Sequence, residues 1–375
     1  MKILIDGRFY GLEHAGLGRY TINLIACLQK IDKQNSYAIL LRRNYFNKLK
    51  LARNWRKILA EVPHYSLREQ IELIQIISRE KPDVFHCLNP NVPIFYSGNL
   101  IVTVHDLTQL KFENKATTLP LPIYYLKHLG YRLVFKKALT HSSKIIVPSN
   151  FVKKELIKSF GIFTDKISVI YEGVDYKVSP KVSSPRVLKK YSFDSDYFIY
   201  VGNAYPHKNL ERVIEAVKLL NNELDRNILF LIVSSRSVFA KRLENFIKKL
   251  RVEKFVKLLG FVPDEELGVL LKNSIAFVFP SLEEGFGLPG LEAMSAETLV
   301  LASDIPVFKE IYKDNVIYFS PYESSSIKKA MKQALEMAKV ERENIIKKNK
   351  SFIKIYSWTK MAEETLKVYE SCFGL

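Results

Sequence analysis

The sequence predicts an α/β protein of two doubly wound domains, each a parallel sheet covered by helices on both faces, with a cleft between them. Three observations carry this. The chain has 375 residues, more than one hydrophobic core comfortably holds, so two domains are expected. Short β-branched runs alternate with amphipathic helical patterns over nearly its whole length, the signature of parallel sheets buried on both faces. The alternation breaks once, at "YKVSPKVSSPRVLKKYS" (176–192), and then restarts.

In the first half, "KILIDG", "YAILLRR", "DVFHCL", "NLIVTVHD", "KIIVPS" and "ISVIYEG" read as strands. "LGRYTINLIACLQKI", "REQIELIQIISRE" and "NFVKKELIKSFG" read as the helices between them. The break is rich in Pro, Ser and Lys and has no period, so it reads as a linker. Beyond it, "YFIYVGN", "NILFLIVSS", "VKLLG", "IAFVFPS", "LVLAS" and "VIYFSP" alternate with helices such as "NLERVIEAVKLLN" and "DEELGVLLKNS". The expected boundaries are a first domain over 1–175, the linker, a second domain over 193–355 and a closing helix over 356–375 that crosses back to the first domain. In sheets of this kind ligands bind beyond the C-terminal ends of the strands.

Composition narrows the function classes. Hydrophobic content of 47% and aromatic content of 12% fit packed cores. No apolar run approaches the ~18 residues that a membrane span needs, and "MKILIDGRFYG" reads as a first strand, not a signal peptide. Cys27, Cys87 and Cys372 are far apart with no CxxC pair, which argues against a disulfide framework or zinc site and fits a reducing cytosol. The net charge is +18, with the excess in the N-terminal half, which suggests an anionic partner. Residues 42–59 hold seven Lys/Arg, no acid, and interleaved Tyr45, Phe46 and Trp55, a stretch suited to an anionic bilayer. Residues 124–139 have a similar mix. A solvated surface is the alternative for both. No nucleic-acid reader motif is visible, so nucleic acid is not expected. "DSD" at 194–196 matches a metal-binding pattern but sits at the linker, so no metal is expected.

The chemistry concentrates in "EEGFGLPGLEAM", 283–294. Glycines permit a tight turn, and Pro289 suits a first helical turn. Free backbone N–H groups near Phe286, Gly287 and Leu288 then form an anion site for a phosphate. Glu292, about a turn into the helix, is placed to accept hydrogen bonds from a ribose diol. Glu284, before the turn, is placed to meet a sugar hydroxyl. The alternative for these two carboxylates is a helix N-terminal acid and a surface acid.

"SLEEGFGLPGLEAM" resembles the EX7E segment of the retaining glycosyltransferases of family GT4, which have the GT-B fold. Other segments resemble that family in order: "DGRFYGLEHAGLGRYTINL", "VTVHDL", "IIVPSNFVKKEL", "ISVIYEGVD", "YVGNAYPHKNLERVIEAV" and "YSWTKMAEETLKVYE". The resemblance spans nearly the whole chain. It implies that Gly16 and Gly18 form a loop approaching the donor diphosphate, and that His105 contacts the donor sugar. Asp106 either orients His105 or caps the next segment. Lys208 would pair with the diphosphate as it leaves, and backbone near Val262 would hold the base. The family usually has Arg where this chain has Asn203, and its "PRKN" form has Arg at the place of His207. A protonated His207, Arg8 or Arg19 would then supply the second phosphate contact.

The resemblance implies a glycosyltransferase that moves a hexose from a nucleotide sugar to a glycan or lipid-linked glycan, without a metal cofactor. The acceptor attacks on the face the leaving diphosphate vacates, and the diphosphate takes its proton. The "DGR…GLGRY" opening and "HKN" loop look most like the GDP-mannose branch. UDP-glucose or UDP-N-acetylglucosamine donors, a nucleotide-sugar epimerase and a non-catalytic nucleotide-sugar or membrane-binding protein are the alternatives. The expected location is the cytoplasm, at the inner face of the cell membrane.

Overall fold

A computed structural model describes residues 1–111, 117, 120–174, 185–191, 195–224, 227–235 and 237–372. The chain divides into two compact units, Met1–Gly173 with Ser357–Leu375, and Val174–Tyr356.

The first unit runs β1 (Lys2–Asp6), α1 (Ala15–Ile31), β2 (Ser36–Leu41), α2 (Arg43–Phe46), β3 (Trp55–Leu59), α3 (Ile74–Glu80), β4 (Val84–Cys87), β5 (Leu100–Thr103), α4 (Thr108–Lys111), α5 (Leu121–His141), β6 (Lys144–Val147), α6 (Asn150–Phe160) and β7 (Ile167–Val169). Its seven strands lie in the order β3-β2-β1-β4-β5-β6-β7, all parallel. Ile3, Ile5, Phe85, Ile101 and Ile145 are fully buried, because helices cover both faces. That is why these strands read as continuous apolar runs. Ser149 caps α6 by accepting from the Val152 N–H, and Gly161 ends it in a left-handed turn.

The second unit runs α7 (Pro185–Tyr191), β8 (Tyr197–Val201), α8 (Leu210–Glu223), β9 (Leu229–Val233), α9 (Val238–Leu250), β10 (Val256–Gly260), α10 (Asp264–Lys272), β11 (Phe277–Phe279), α11 (Leu288–Ser295), β12 (Val300–Ser303), α12 (Pro306–Tyr312), β13 (Ile317–Phe319), α13 (Ser324–Glu336) and α14 (Lys339–Phe352). Its sheet order is β10-β9-β8-β11-β12-β13, again parallel. In both sheets the order reverses direction at the first strand of the unit, between β1 and β4 and between β8 and β11.

The expected linker lies outside the described residues up to 184. From Pro185 it is helical, and Lys190 and Tyr191 both donate to Glu266 of α10. The closing helix, α15 (Trp358–Ser371), belongs to the first unit. Its Met361, Ala362 and Tyr369 are fully buried, and the Tyr369 hydroxyl lies 2.7 Å from Nδ1 of His86 in β4. A side chain at Gly173 would collide with the backbone of Trp358, so glycine lets the helix return here.

Candidate active site

In the second unit the polar residues gather at the β8–β11 switch point. β8 hands over to a short turn, Pro206–Lys208, and then Asn209 at φ 58°. Asparagine is among the few residues that tolerate this left-handed conformation. Its side chain locks two loops together: Nδ2 donates to Pro280 O at 3.1 Å and Pro321 O at 2.7 Å, while Oδ1 accepts from Arg212 at 2.7 Å. The Leu282 N–H donates to His207 O at 2.8 Å. These bonds hold Lys208 against the loop after β11. Lys208 Nζ donates to Glu284 Oε1 at 2.5 Å, and Ser281 Oγ donates to the same oxygen at 2.7 Å. Both side chains of the ion pair are 15% exposed.

The loop then turns into α11 through Gly287, at φ 101°. Side chains at Gly287 and Gly290 would both run into the Tyr312 ring hydroxyl, which itself donates to Gly287 O. Glycine is required here for backbone conformation and for space. Phe286 and Leu288 are buried, so they offer backbone to a ligand. Pro289 lies in the first turn and Glu292, half-buried, one turn further on. The start of an α-helix with the Lys208 ammonium nearby favours an anion. Asn203 follows β8, its carbonyl oxygen accepting from Tyr200 at 2.8 Å, and its side-chain oxygen is buried with no hydrogen-bond partner among the described residues. Val262 is 3% exposed in the loop after β10, behind Gly260 at φ 73°.

In the first unit His105 follows β5. Its Nε2 lies 3.1 Å from Leu88 O and its Nδ1 3.2 Å from Glu172 Oε1. The two contacts fix the plane of the ring between the loop after β4 and the segment after β7. Tyr20 packs edge-on to the ring at 4.7 Å. Asp106 does not orient His105; its carboxylate caps the next turn by accepting from the Thr108 N–H at 2.8 Å. Glu172 and Asn209 were missed as positioning residues. They lay inside the "YEGVD" and "HKN" segments, but nothing in the sequence shows which side chains they meet.

Three expectations need correction. Gly16 and Gly18 are not in a loop: both lie in the opening turns of α1. A side chain at Gly18 would collide with the Gly11 carbonyl, whereas nothing lies within 4 Å of Gly16. Arg8 cannot serve a phosphate. It is fully buried, gripping Asp6 through two bonds of 2.8 and 2.6 Å and Glu69 through one of 2.7 Å. Trp55 cannot insert into a bilayer. It is 7% exposed and stacked on Tyr37 at 4.1 Å, because it opens the edge strand β3. In the same stretch Arg56 pairs with Glu80 at 3.1 Å and Lys57 bonds to Phe46 O at 2.7 Å. Asp194 of the "DSD" motif lies outside the described residues. Among the described residues no group of three or more His, Cys, Asp or Glu could hold a metal.

The two parallel sheets, of seven and six strands, are those of the GT-B fold of glycosyltransferases, and the Lys208–Glu284 pair lies at the switch point of the second. The family model Glycosyltransferase Family 4 matches residues 15–178, and Glycosyl transferases group 1 matches residues 187–352. The chain belongs to this family of glycosyltransferases. It is 27% identical over 333 residues to the O-antigen chain mannosyltransferase RfbU of Salmonella typhimurium, covering 86% of this chain and 88% of that one. It is 28% identical over 237 residues to O-antigen chain mannosyltransferase B of Escherichia coli, covering 62% of each. Sucrose-phosphate synthase from Thermosynechococcus elongatus shares the fold, with a TM-score of 0.79 at 17% identity over 100% of this chain and 99% of that one.

Proposed function

We propose that this glycosyltransferase moves mannose from GDP-mannose to a hydroxyl of a glycan or lipid-linked glycan, with retention of configuration at the anomeric carbon. The observation that carries the reading is the Lys208–Glu284 pair beside the start of α11. Without donor, each charge neutralises the other. An arriving diphosphate competes for the ammonium, and Lys208 exchanges a carboxylate for a phosphate partner. Glu284 is then released to accept from a hydroxyl of the transferred sugar. Glu292 takes the ribose diol, and backbone near Val262 the base. His105 is assigned to the transferred sugar by the family resemblance. The bond from the anomeric carbon to phosphate breaks as the bond to the acceptor oxygen forms on the same face. The acceptor proton passes to the departing phosphate. Lys208 and the α11 N–H groups stabilise the charge that develops there, so the scheme needs no metal. The two mannosyltransferase relatives support the choice of sugar. The acceptor is taken to be membrane-held, at the inner face; among the described residues no helix is long and apolar enough to cross a membrane.

A ligand that binds only the folded chain raises its melting temperature by mass action. GDP-mannose and GDP are expected to raise it more than UDP-glucose, UDP or ADP at equal concentration. A larger rise with a UDP ligand overturns the mannose reading and leaves the transferase intact. Conversion of the donor to an isomeric nucleotide sugar, with no transfer, overturns the transferase reading.

A further inference from the structure

α5 is apolar on two opposite sides. One side carries Phe135, Ala138 and Leu139, all fully buried against the first unit. The other carries Leu126, Leu129 and Leu133, which are 73%, 57% and 61% exposed. Their spacing of three and four residues places them in one row along the helix. Leu121 and Ile123, at 55% and 49% exposed, extend the apolar surface toward the helix start. Scattered exposed leucines need no explanation, but a contiguous row on one face marks a surface that meets something.

The charge around the row says what. Between residues 121 and 141 there are four Lys/Arg and no Asp or Glu. Lys127 and Lys136 are exposed beside the leucines. A partner must therefore offer negative charge at its rim and hydrocarbon beneath it, as an anionic phospholipid bilayer does. Nucleic acid would meet the lysines but leave the leucines in water. The stretch 42–59 has the charge without the apolar face. Its Trp55 is buried, and its most exposed large hydrophobic residue is Leu59, at 36%.

We propose that the outer face of α5 seats the first unit on the surface of an anionic phospholipid bilayer, with Leu126, Leu129 and Leu133 in the boundary between headgroups and acyl chains and the lysines at the phosphates. The proposal deepens the reading of a membrane-held acceptor, but it is testable without donor or acceptor. The full-length chain is sedimented with vesicles of phosphatidylcholine, with and without phosphatidylglycerol. Binding is expected only to the anionic vesicles, and it weakens as salt rises because screening shortens. A Leu126→Gln, Leu129→Gln, Leu133→Gln variant is expected to lose at least tenfold in partitioning, as is a Lys127→Gln, Lys136→Gln, Lys137→Gln variant. Changing Arg43, Lys48, Lys50 and Arg53 to Gln is expected to cost less than threefold. Leu129→Trp reads the same contact without removing it: the indole emission of that variant shifts to the blue on anionic vesicles. Unchanged binding by both α5 variants, an unshifted emission from Leu129→Trp, or no binding by the parent chain overturns the proposal. So does concentration-dependent self-association that the leucine variant abolishes, which would make this face a contact between copies. The rise in melting temperature with GDP-mannose is expected to be the same in every α5 variant, so failure of the donor reading is seen separately.

Discussion

The two units reverse strand order at the same topological place, yet they use it differently. At the β1–β4 point, Asp6, Arg8 and Glu69 have side chains with no exposure at all, and Arg8 bonds to both carboxylates. Glu69 also accepts from the Tyr65 N–H at 2.8 Å and from Asn91. The donors and acceptors nearly saturate each other. Burial alone would push the Asp6 carboxyl up, but the Arg8 charge and its bonds outweigh that and hold it below its usual range. At the β8–β11 point the Lys208–Glu284 pair sits at 15% exposure, with hydrogens on Lys208 and lone pairs on Glu284 left over. A closed network cannot change partners without leaving a buried charge alone, whereas an open pair can. Topology brings polar groups to both places; saturation sets apart a network that is closed from a pair that has capacity left for a ligand.

The largest test of this contrast is Arg8→Met. It leaves two buried carboxylates facing each other, and breaking such a set costs roughly 3–5 kcal/mol. Urea unfolding is expected to show that loss in the transition of the first unit. Arg8→Lys should recover little of it, because an ammonium cannot make the paired bonds to Asp6. A stable Arg8→Met protein with weakened GDP-mannose binding would reverse the assignment, making the first switch point the ligand site.

Lys208→Ala is the counterpart in the second unit. Turnover is expected to fall roughly a hundredfold, about 2.7 kcal/mol, as on removal of one group that stabilises a departing charge. Stability should change by less than in Arg8→Met, because the pair keeps some access to water and Ser281 still donates to Glu284. Near-normal turnover together with a large loss of stability would mean that this pair, too, is only structural. Added EDTA should leave the parent enzyme active; its inactivation would bring a metal into the scheme.

Much of this was legible in the sequence. The strand runs are apolar throughout because both sheet faces are covered, and the "GFGLPG" turn can end only one way when a proline suits the first turn of a helix. Side-chain partners were not legible. Arg8 and Lys208 are both basic residues in or next to a turn after a strand, and composition gives no reason to bury one and open the other. The difference comes from Asp6, two residues away, and from Glu69, remote in sequence. In the same way 42–59 and 121–141 look alike as strings. One enters an edge strand and turns its tryptophan inward; the other forms a helix with too many apolar residues to hide.

The smallest expected effect separates the units by pH. His86, in β4, is fully buried between the Tyr369 hydroxyl at 2.7 Å and Thr103 Oγ1 at 2.8 Å. Burial, and next the nearby His105, push its pKa down to about 3. An unfolded histidine titrates near ~6.5. Between those values the unfolded chain binds a proton that the folded chain refuses, so stability falls as pH falls, at up to about 1.4 kcal/mol per unit. By pH 5 the loss is roughly 2 kcal/mol, and above about pH 7.5 it vanishes. Asp6 works in a different window: its contribution is fully present above the ordinary carboxylate range and is lost only at more acid pH. His14, half-buried, and the exposed His141 are also pushed down, chiefly by desolvation, and both lie in the first unit. Urea unfolding at pH 7.5, 6 and 5 is therefore expected to weaken the first unit's transition, and His86→Gln should flatten most of that slope. A slope unchanged by His86→Gln would assign the titration to His14 or His141. A slope carried by the second unit's transition would remove the contrast in acid sensitivity between the two units.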